Sequence, residues 1–228
     1  MYLAQLILNP MNKAVRRDVT AQYELHRTLS RMYPHPEKDT SENDERTPDR
    51  FTFMFRFEEP DYKSGRLLVL AQSVEHPPNF DALPIDYSLD RSVKFVSDDF
   101  LISSVKAGKR FSFRLRANTT TKREGHRFAV RKEHERIDWL ARKGERCGFS
   151  LLQVNAHNIT TGNLQSTRKF AGSVPENDVK GRIFQVGALF DGVLQVTDAE
   201  KFVYCLINGI GQGKAFGFGL LSIAEYGE

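Results

Sequence analysis

The chain has 228 residues, of which 40% are hydrophobic and 27% charged, with a net charge of +4. These are ordinary globular values, enough to bury one large core or two small ones. No long uncharged apolar run is present, which excludes a helical membrane span. The first eight residues lack a charged leader region and a small-residue cleavage site, so they read as a strand and not as a signal peptide. Cys147 and Cys205 are far apart and without metal-ligand spacing. They are expected to be reduced, buried thiols in a cytoplasmic protein.

The charge is unevenly placed. Residues 106 to 146 hold fourteen Lys and Arg against five Asp and Glu, and arginine outnumbers lysine. A basic block inside a folded segment points to a polyanionic partner, and guanidinium forks match phosphate oxygens. A solvated helix face with excess cations is the plainer reading.

Tyr2 to Leu8 is rich in Leu and Ile and is expected to be a strand, ended by Asn9-Pro10. A helix is expected from about Val19 to Tyr33, with Leu25, Leu29 and Met32 facing the core. Its polar face carries Tyr23, His26, Arg27, Ser30 and Arg31. Pro34 and Pro36 stop it. Residues 35 to 61 are polar and acidic and read as a loop that leads into a strand at Phe51 to Phe57. That strand places aromatic residues at every second position. Lys63-Ser64-Gly65 turns the chain into a strand from Arg66 to Gln72. A proline-rich loop from His76 to Pro84 precedes a short or degenerate helix. Ser92 to Val105 is expected to be a fourth strand, whole or broken.

Ala107-Gly108-Lys109 marks a seam. Arg110 to Asn118 alternates, with Phe111, Phe113 and Leu115 on one face and Arg110, Ser112, Arg114 and Arg116 on the other. Val130 to Arg146 is a basic helix with Ile137, Leu140 and Ala141 inward. Phe149 to Asn155 is a strand. Ala156 to Val179 is polar, with Arg168 and Lys169 in its middle. Arg182 to Val196 contains a long strand bent near Asp191-Gly192. Asp198 caps a helix from Ala199 to Ile207. A glycine turn and a last strand, Phe218 to Ile223, complete the pattern. Each half follows the order β-α-β-β-α-β, so the expected fold is α+β, two tandem ferredoxin-like domains, residues 1–106 and 107–228.

The glycine turn runs Gly209-Ile-Gly-Gln-Gly-Lys-Ala-Phe-Gly-Phe-Gly219. It is too apolar for a linker. It is not a Walker loop, because Ala215 follows Lys214 where Ser or Thr is required. Gly211, Gly213 and Lys214 either cradle phosphate or close a tightly packed turn.

The six histidines form no metal-ligand pair, so neither metal nor cofactor is expected. The strongest catalytic face is that of the first helix. His26 can move protons near neutral pH, Tyr23 one turn earlier can donate a hydrogen bond, and Arg27 and Arg31 can hold a phosphate. RNA cleavage by the ribose 2′-hydroxyl needs only proton transfer, in-line positioning and charge stabilisation. The plainer reading is a helix whose Tyr and His merely cover the sheet.

Five pieces in order along the chain carry a resemblance. They are Met1-Tyr-Leu followed by Tyr23-Glu-Leu-His26-Arg-Thr-Leu; Phe113-Arg-Leu-Arg-Ala-Asn118; Trp139-Leu-Ala-Arg-Lys; Phe190-Asp-Gly-Val-Leu; and the glycine stretch through Ser222. Together they resemble the CasE family, the Cascade-subunit CRISPR RNA endoribonucleases. The resemblance implies two ferredoxin-like domains that bind the stem-loop of a CRISPR repeat and cut at its 3′ base without metal. It implies a 2′,3′-cyclic phosphate and a 5′-hydroxyl as products, and other Cascade subunits as partners. By position it implies His26 as general acid or base, Tyr23 as its support and Arg31 as a third member. Some relatives carry Lys where Arg31 stands; Arg keeps the charge but is a poor proton donor. Arg27, Arg114, Arg116, Arg168, Lys169, Lys214, Gly211 and Gly213 are the expected RNA contacts. The reading from another class is a repeat-RNA-binding subunit that does not cut.

Overall fold

The computed structural model describes residues 1–34, 53–58, 60, 63–124, 126–160, 164–165, 182–183 and 186–227. The first half begins with β1 (Tyr2–Leu8), α1 (Lys13–Thr20) and α2 (Gln22–Ser30). It continues with β2 (Phe53–Phe57), β3 (Leu67–Ser73), a 3₁₀ turn at Phe80–Ala82, β4 (Ser88–Phe95) and α3 (Asp98–Ser104). The second half contains β5 (Arg110–Ala117), a hairpin of β6 (Thr120–Arg123) and β7 (His126–Ala129), and α4 (Glu133–Cys147). Then follow β8 (Phe149–Thr160), β9 (Leu164–Gln165), β10 (Arg182–Ile183), β11 (Val186–Val196), α5 (Ala199–Asn208) and β12 (Leu221–Glu225).

Each half builds one four-stranded antiparallel sheet, ordered β2-β3-β1-β4 and β12-β5-β11-β8. In both, the first and third strands are central. This is the ferredoxin-like arrangement, present twice in tandem. The core of the first half forms because Leu6 and Leu8 of β1, Phe55 of β2 and Val69 of β3 meet Leu25 and Leu29 of α2, all at 0% exposure. The second gathers Leu115, Leu140, Phe149, Phe190, Leu194 and Phe202.

Several sequence expectations are corrected. The single helix expected from Val19 to Tyr33 is two helices that meet at Ala21, whose extended backbone (φ −135°, ψ 90°) breaks the run. The break is held by Asp18, which is fully buried. It accepts from Thr28 Oγ1 (2.6 Å), Tyr87 Oη (2.9 Å) and the Arg17 guanidinium. The strand expected from Ser92 to Val105 stops at Phe95. Ser97 then caps α3 by accepting from the Phe100 N–H, with Asp98 and Asp99 in the positive first turn. The hairpin β6–β7 is not signalled by any apolar alternation. Cys147 and Cys205 are not separate reduced thiols. They form a disulfide with Cα atoms 5.6 Å apart, because the end of α4 lies beside α5. The Asp198 cap is as expected, with its side chain accepting from the Lys201 N–H.

The two halves are joined by buried polar side chains. Arg56 on β2 is 2% exposed; it donates to the carbonyls of Arg114 and Leu220 (3.1 Å each) and to Glu58 (2.7 Å). Gln72 on β3 donates to the Leu206 and Ile207 carbonyls at the end of α5.

Candidate active site and nucleic-acid interface

The apolar stripe of α2 fixes its rotation, and with it the polar face. Tyr23 and His26, three residues apart, then lie over the aromatic end of the first sheet. The His26 ring stacks on Phe53 (centroids 5.1 Å, 10° between planes) and lies 6.0 Å from Phe55. Tyr23 is 6.4 Å from His26 on one side and 5.9 Å from Phe216 on the other. Phe216 ends the 3₁₀ turn Lys214–Phe216, so the polar face of α2 and the glycine turn meet at Tyr23.

Burial against the phenylalanines lowers the His26 pKa to about 4, since the charged ring loses its water. At neutral pH the imidazole is therefore uncharged, with one ring nitrogen free of a proton. Its Nδ1 is buried without a hydrogen-bond partner. A phosphate brought beside the ring favours the protonated form and moves the pKa upward.

The cations divide. Arg27 is exposed and bonded to Glu24 (3.0 Å) on its own helix. Arg31 stands exposed at the C-cap of α2, beyond the Tyr23–His26 pair. Arg114 is held bidentately by Asp191 (2.6 and 3.3 Å) and also by Glu58 (3.2 Å). Arg116 is only 6% exposed; it donates to the Phe57 carbonyl (3.2 Å) and lies over the Phe218 ring. The Gln22 amide, oriented with its oxygen toward Arg116 (2.9 Å) and its nitrogen toward the Phe216 carbonyl, ties the start of α2 to this arginine. Arg114 and Arg116 share a strand face, as the alternation predicts, but both are engaged with protein groups. Arg168 and Lys169 lie outside the described residues.

The glycine turn is a built structure. Gly209, Gly211, Gly213, Gly217 and Gly219 all have φ between 74° and 95°. At Gly209 a Cβ would strike the Met54 sulfur of β2, so this glycine lets α5 end against the first sheet. At Gly211 a Cβ would sit 3.4 Å from the Trp139 ring, which brings the turn onto α4. The N–H groups of Ile210, Phe216, Gly217, Phe218 and Gly219 bond carbonyls within the turn or on Arg116. The Lys214 side chain is half-buried, and burial lowers its pKa.

Beyond these residues the structure shows a cleft between α4 and the turn, lined by Asn118, Trp139, Arg142, Lys143, Arg146 and Gly211. The sequence identified α4 as basic, but not which of its cations share a cleft. Among the described residues, no group of His, Cys, Asp and Glu has the arrangement of a metal site, and no helix is long and apolar enough to cross a membrane.

Tandem ferredoxin-like halves carry a Tyr–His pair on the first helical layer and a glycine turn against it, a face that suits an RNA-processing protein. Residues 1–225 match the family described as CRISPR associated protein. The chain is 34% identical over 227 residues to the CRISPR-associated endoribonuclease Cse3 of Thermus thermophilus, spanning 98% of this chain and 100% of that one. It is 28% identical over 237 residues to the CRISPR system Cascade subunit CasE of Escherichia coli, spanning 98% and 99%. A solved structure of CRISPR endoribonuclease Cse3 bound to a 19-nucleotide RNA superposes with a TM-score of 0.75 at 31% identity, covering 98% and 100%. The chain belongs to this CRISPR-associated family and, within it, to the Cse3/CasE endoribonucleases.

Proposed function

We propose that this endoribonuclease binds the stem-loop of a CRISPR repeat and cuts at its 3′ base, without metal, as a cytoplasmic subunit of a Cascade complex. We place the catalytic helix in a domain of residues 1–106, and the basic helix and glycine turn in a domain of residues 107–228. The observation that supports this reading best is the placement of the His26 ring beside Tyr23, whose other side meets Phe216 of the turn carrying Lys214.

In the proposed step, His26 takes the proton of the ribose 2′-hydroxyl. The 2′-oxygen forms a bond to phosphorus and the P–O5′ bond breaks. The products are a 2′,3′-cyclic phosphate and a 5′-hydroxyl, whose oxygen takes up a proton. Tyr23 supports the histidine. We assign Lys214 of the glycine turn and Arg31 at the C-cap of α2 to offset the charge on the phosphoryl oxygens. We assign Arg116 to holding the two halves together, because its guanidinium is already spent on Phe57 and Gln22.

The test is cleavage of repeat RNA in chelator, beside RNA with a single 2′-deoxy at the scissile nucleotide. Full activity in chelator and no cutting of the deoxy RNA is the expected result. Loss of cutting in chelator, or normal cutting of the deoxy RNA, overturns the mechanism. Tight binding of repeat RNA with no cutting under any condition favours the non-cleaving subunit.

A further inference from the structure

The cleft between α4 and the glycine turn has a volume of about 490 Å³. Arg142, Lys143 and Arg146 project into it from one helix, at spacings of one, three and four residues. Like charges at such spacings repel one another and cost helix stability. Asp138 and Glu145 sit at neighbouring helical positions, yet among the described residues none of the three cations makes an ion pair. Arg142 and Arg146 are exposed. Lys143 has its pKa lowered by burial and by Arg146, which reports the same crowding of positive charge. Such a cluster is relieved by an anion.

The floor of the cleft shows what kind of anion contact is possible. The Trp139 indole N–H donates to the Thr120 carbonyl (3.0 Å). Its ring stacks parallel to Phe190, and the Lys143 ammonium lies 5.6 Å from its centroid. The aromatic faces are therefore in use, and a nucleobase has no ring on which to stack. The cavity is the size of a small-ligand site. The turn that walls it at Gly211 and Gln212 continues through Lys214 to Phe216, which touches Tyr23. One glycine turn thus has the reacting face at one end and the cationic cleft at the other.

We propose that this cleft binds the phosphodiester backbone of the single-stranded RNA that runs on from the scissile phosphate, over the glycine turn, without reading its bases. The inference rests on the proposed RNA-processing function. It adds a second binding track, distinct from the stem contact.

The test measures affinity across a salt series with RNA made uncleavable by a 2′-deoxy at the scissile nucleotide. Three RNAs are compared: the bare stem-loop, and the stem-loop with a single-stranded flank on its 5′ or its 3′ side. The variant is R142Q/R146Q, which keeps helix propensity and leaves Lys143 over Trp139. For the RNA with the 3′ flank its log–log salt slope is expected to be shallower than wild type by roughly 1.4, about 0.7 for each lost single-strand contact. On the bare stem-loop the slopes should coincide, and changing the flank sequence should not alter the difference. Equal slopes on the RNA with the 3′ flank, or a change confined to the 5′ flank, overturn the proposal, whatever the melting temperature does. An equal loss on the bare stem-loop assigns the cleft to the stem and also overturns it. Wild-type protein that fails to bind the stem-loop at all instead strikes the proposed function itself, so the two failures are told apart.

Discussion

His26 is pulled in two directions. Its ring is packed on Phe53 and Phe55 like a core residue, yet it lies beside Tyr23 on the face where catalysis is proposed. The same burial serves both roles, because it keeps the imidazole neutral and able to accept a proton. His26→Ala should slow cleavage by about 10²–10⁴-fold with RNA affinity nearly unchanged, and Tyr23→Phe should cost less. Single-turnover rates at saturating RNA measure this. An unfolded variant would make the histidine a core residue, and a wild-type rate would move the chemistry elsewhere. A pH dependence of stability also follows. The unfolded histidine binds a proton near pH 6.5 and the folded one only near 4. The unfolded state therefore binds more protons between these values, and stability falls as the pH drops through this window. The loss is complete below about pH 4 and amounts to about 3 kcal/mol. Thermal melts of wild type and His26→Ala at pH 7 and pH 4.5 should show a larger acid-induced drop for wild type. Parallel curves would mean that the ring is not desolvated in solution. The spacing of Tyr23 and His26 was visible in the sequence. The stacking that sets the pKa was not, because Phe53 and Phe55 come from a distant strand.

At the scale of elements, the angle of α2 is set by Asp18, whose carboxylate joins α1, α2 and Tyr87. No periodicity marks this residue, since a buried, fully bonded carboxylate is a rare event that only packing creates. The glycine turn is the other element that places the site. Its Lys214 is half-buried and stands between a packing role and a phosphate role. Lys214→Ala is expected to lower the salt slope of RNA binding by roughly 0.7 to 0.9, the loss of one phosphate contact. A salt series with thermal melting beside it is the measurement. An unchanged slope with a lowered melt makes the turn a packing element only. The density of glycine announced an unusual backbone. Which neighbour each glycine admits, Met54 at Gly209 and Trp139 at Gly211, depends on how the halves meet.

For the whole molecule, the proposed active face exists only because the two sheets are held in one relation. The first half supplies Tyr23, His26, Phe53 and Phe55, and the second supplies the turn with Phe216 and Lys214. Arg56 is the main tie, a buried cation spending its donors on Glu58 and on two carbonyls of the other half. Arg56→Met keeps the volume but leaves those carbonyls and Glu58 without it. The expected cost is about 3–5 kcal/mol, as for other broken buried charges. Calorimetry should show a melting temperature lower by on the order of 10 °C for a chain of this size. An unchanged melt would mean that the interface does not depend on this residue.

The sequence by itself determined the two ferredoxin-like halves, the core stripe of α2, the Asp198 cap and the Tyr23–His26 pair. These follow from local periodicity and capping chemistry, which act over a few residues. Family membership was legible for the same reason, in short ordered stretches such as Tyr23 to Leu29 and the glycine run. Only the tertiary structure decided the break at Ala21, the pairing of Cys147 with Cys205 and the engagement of Arg114 and Arg116 by protein groups. It alone also gathered Arg142, Lys143 and Arg146 against Gly211. Each of these depends on residues from different elements meeting in space. A cation in a sequence carries no mark of whether its partner will be a carboxylate, a carbonyl or a phosphate, because long-range packing chooses that partner.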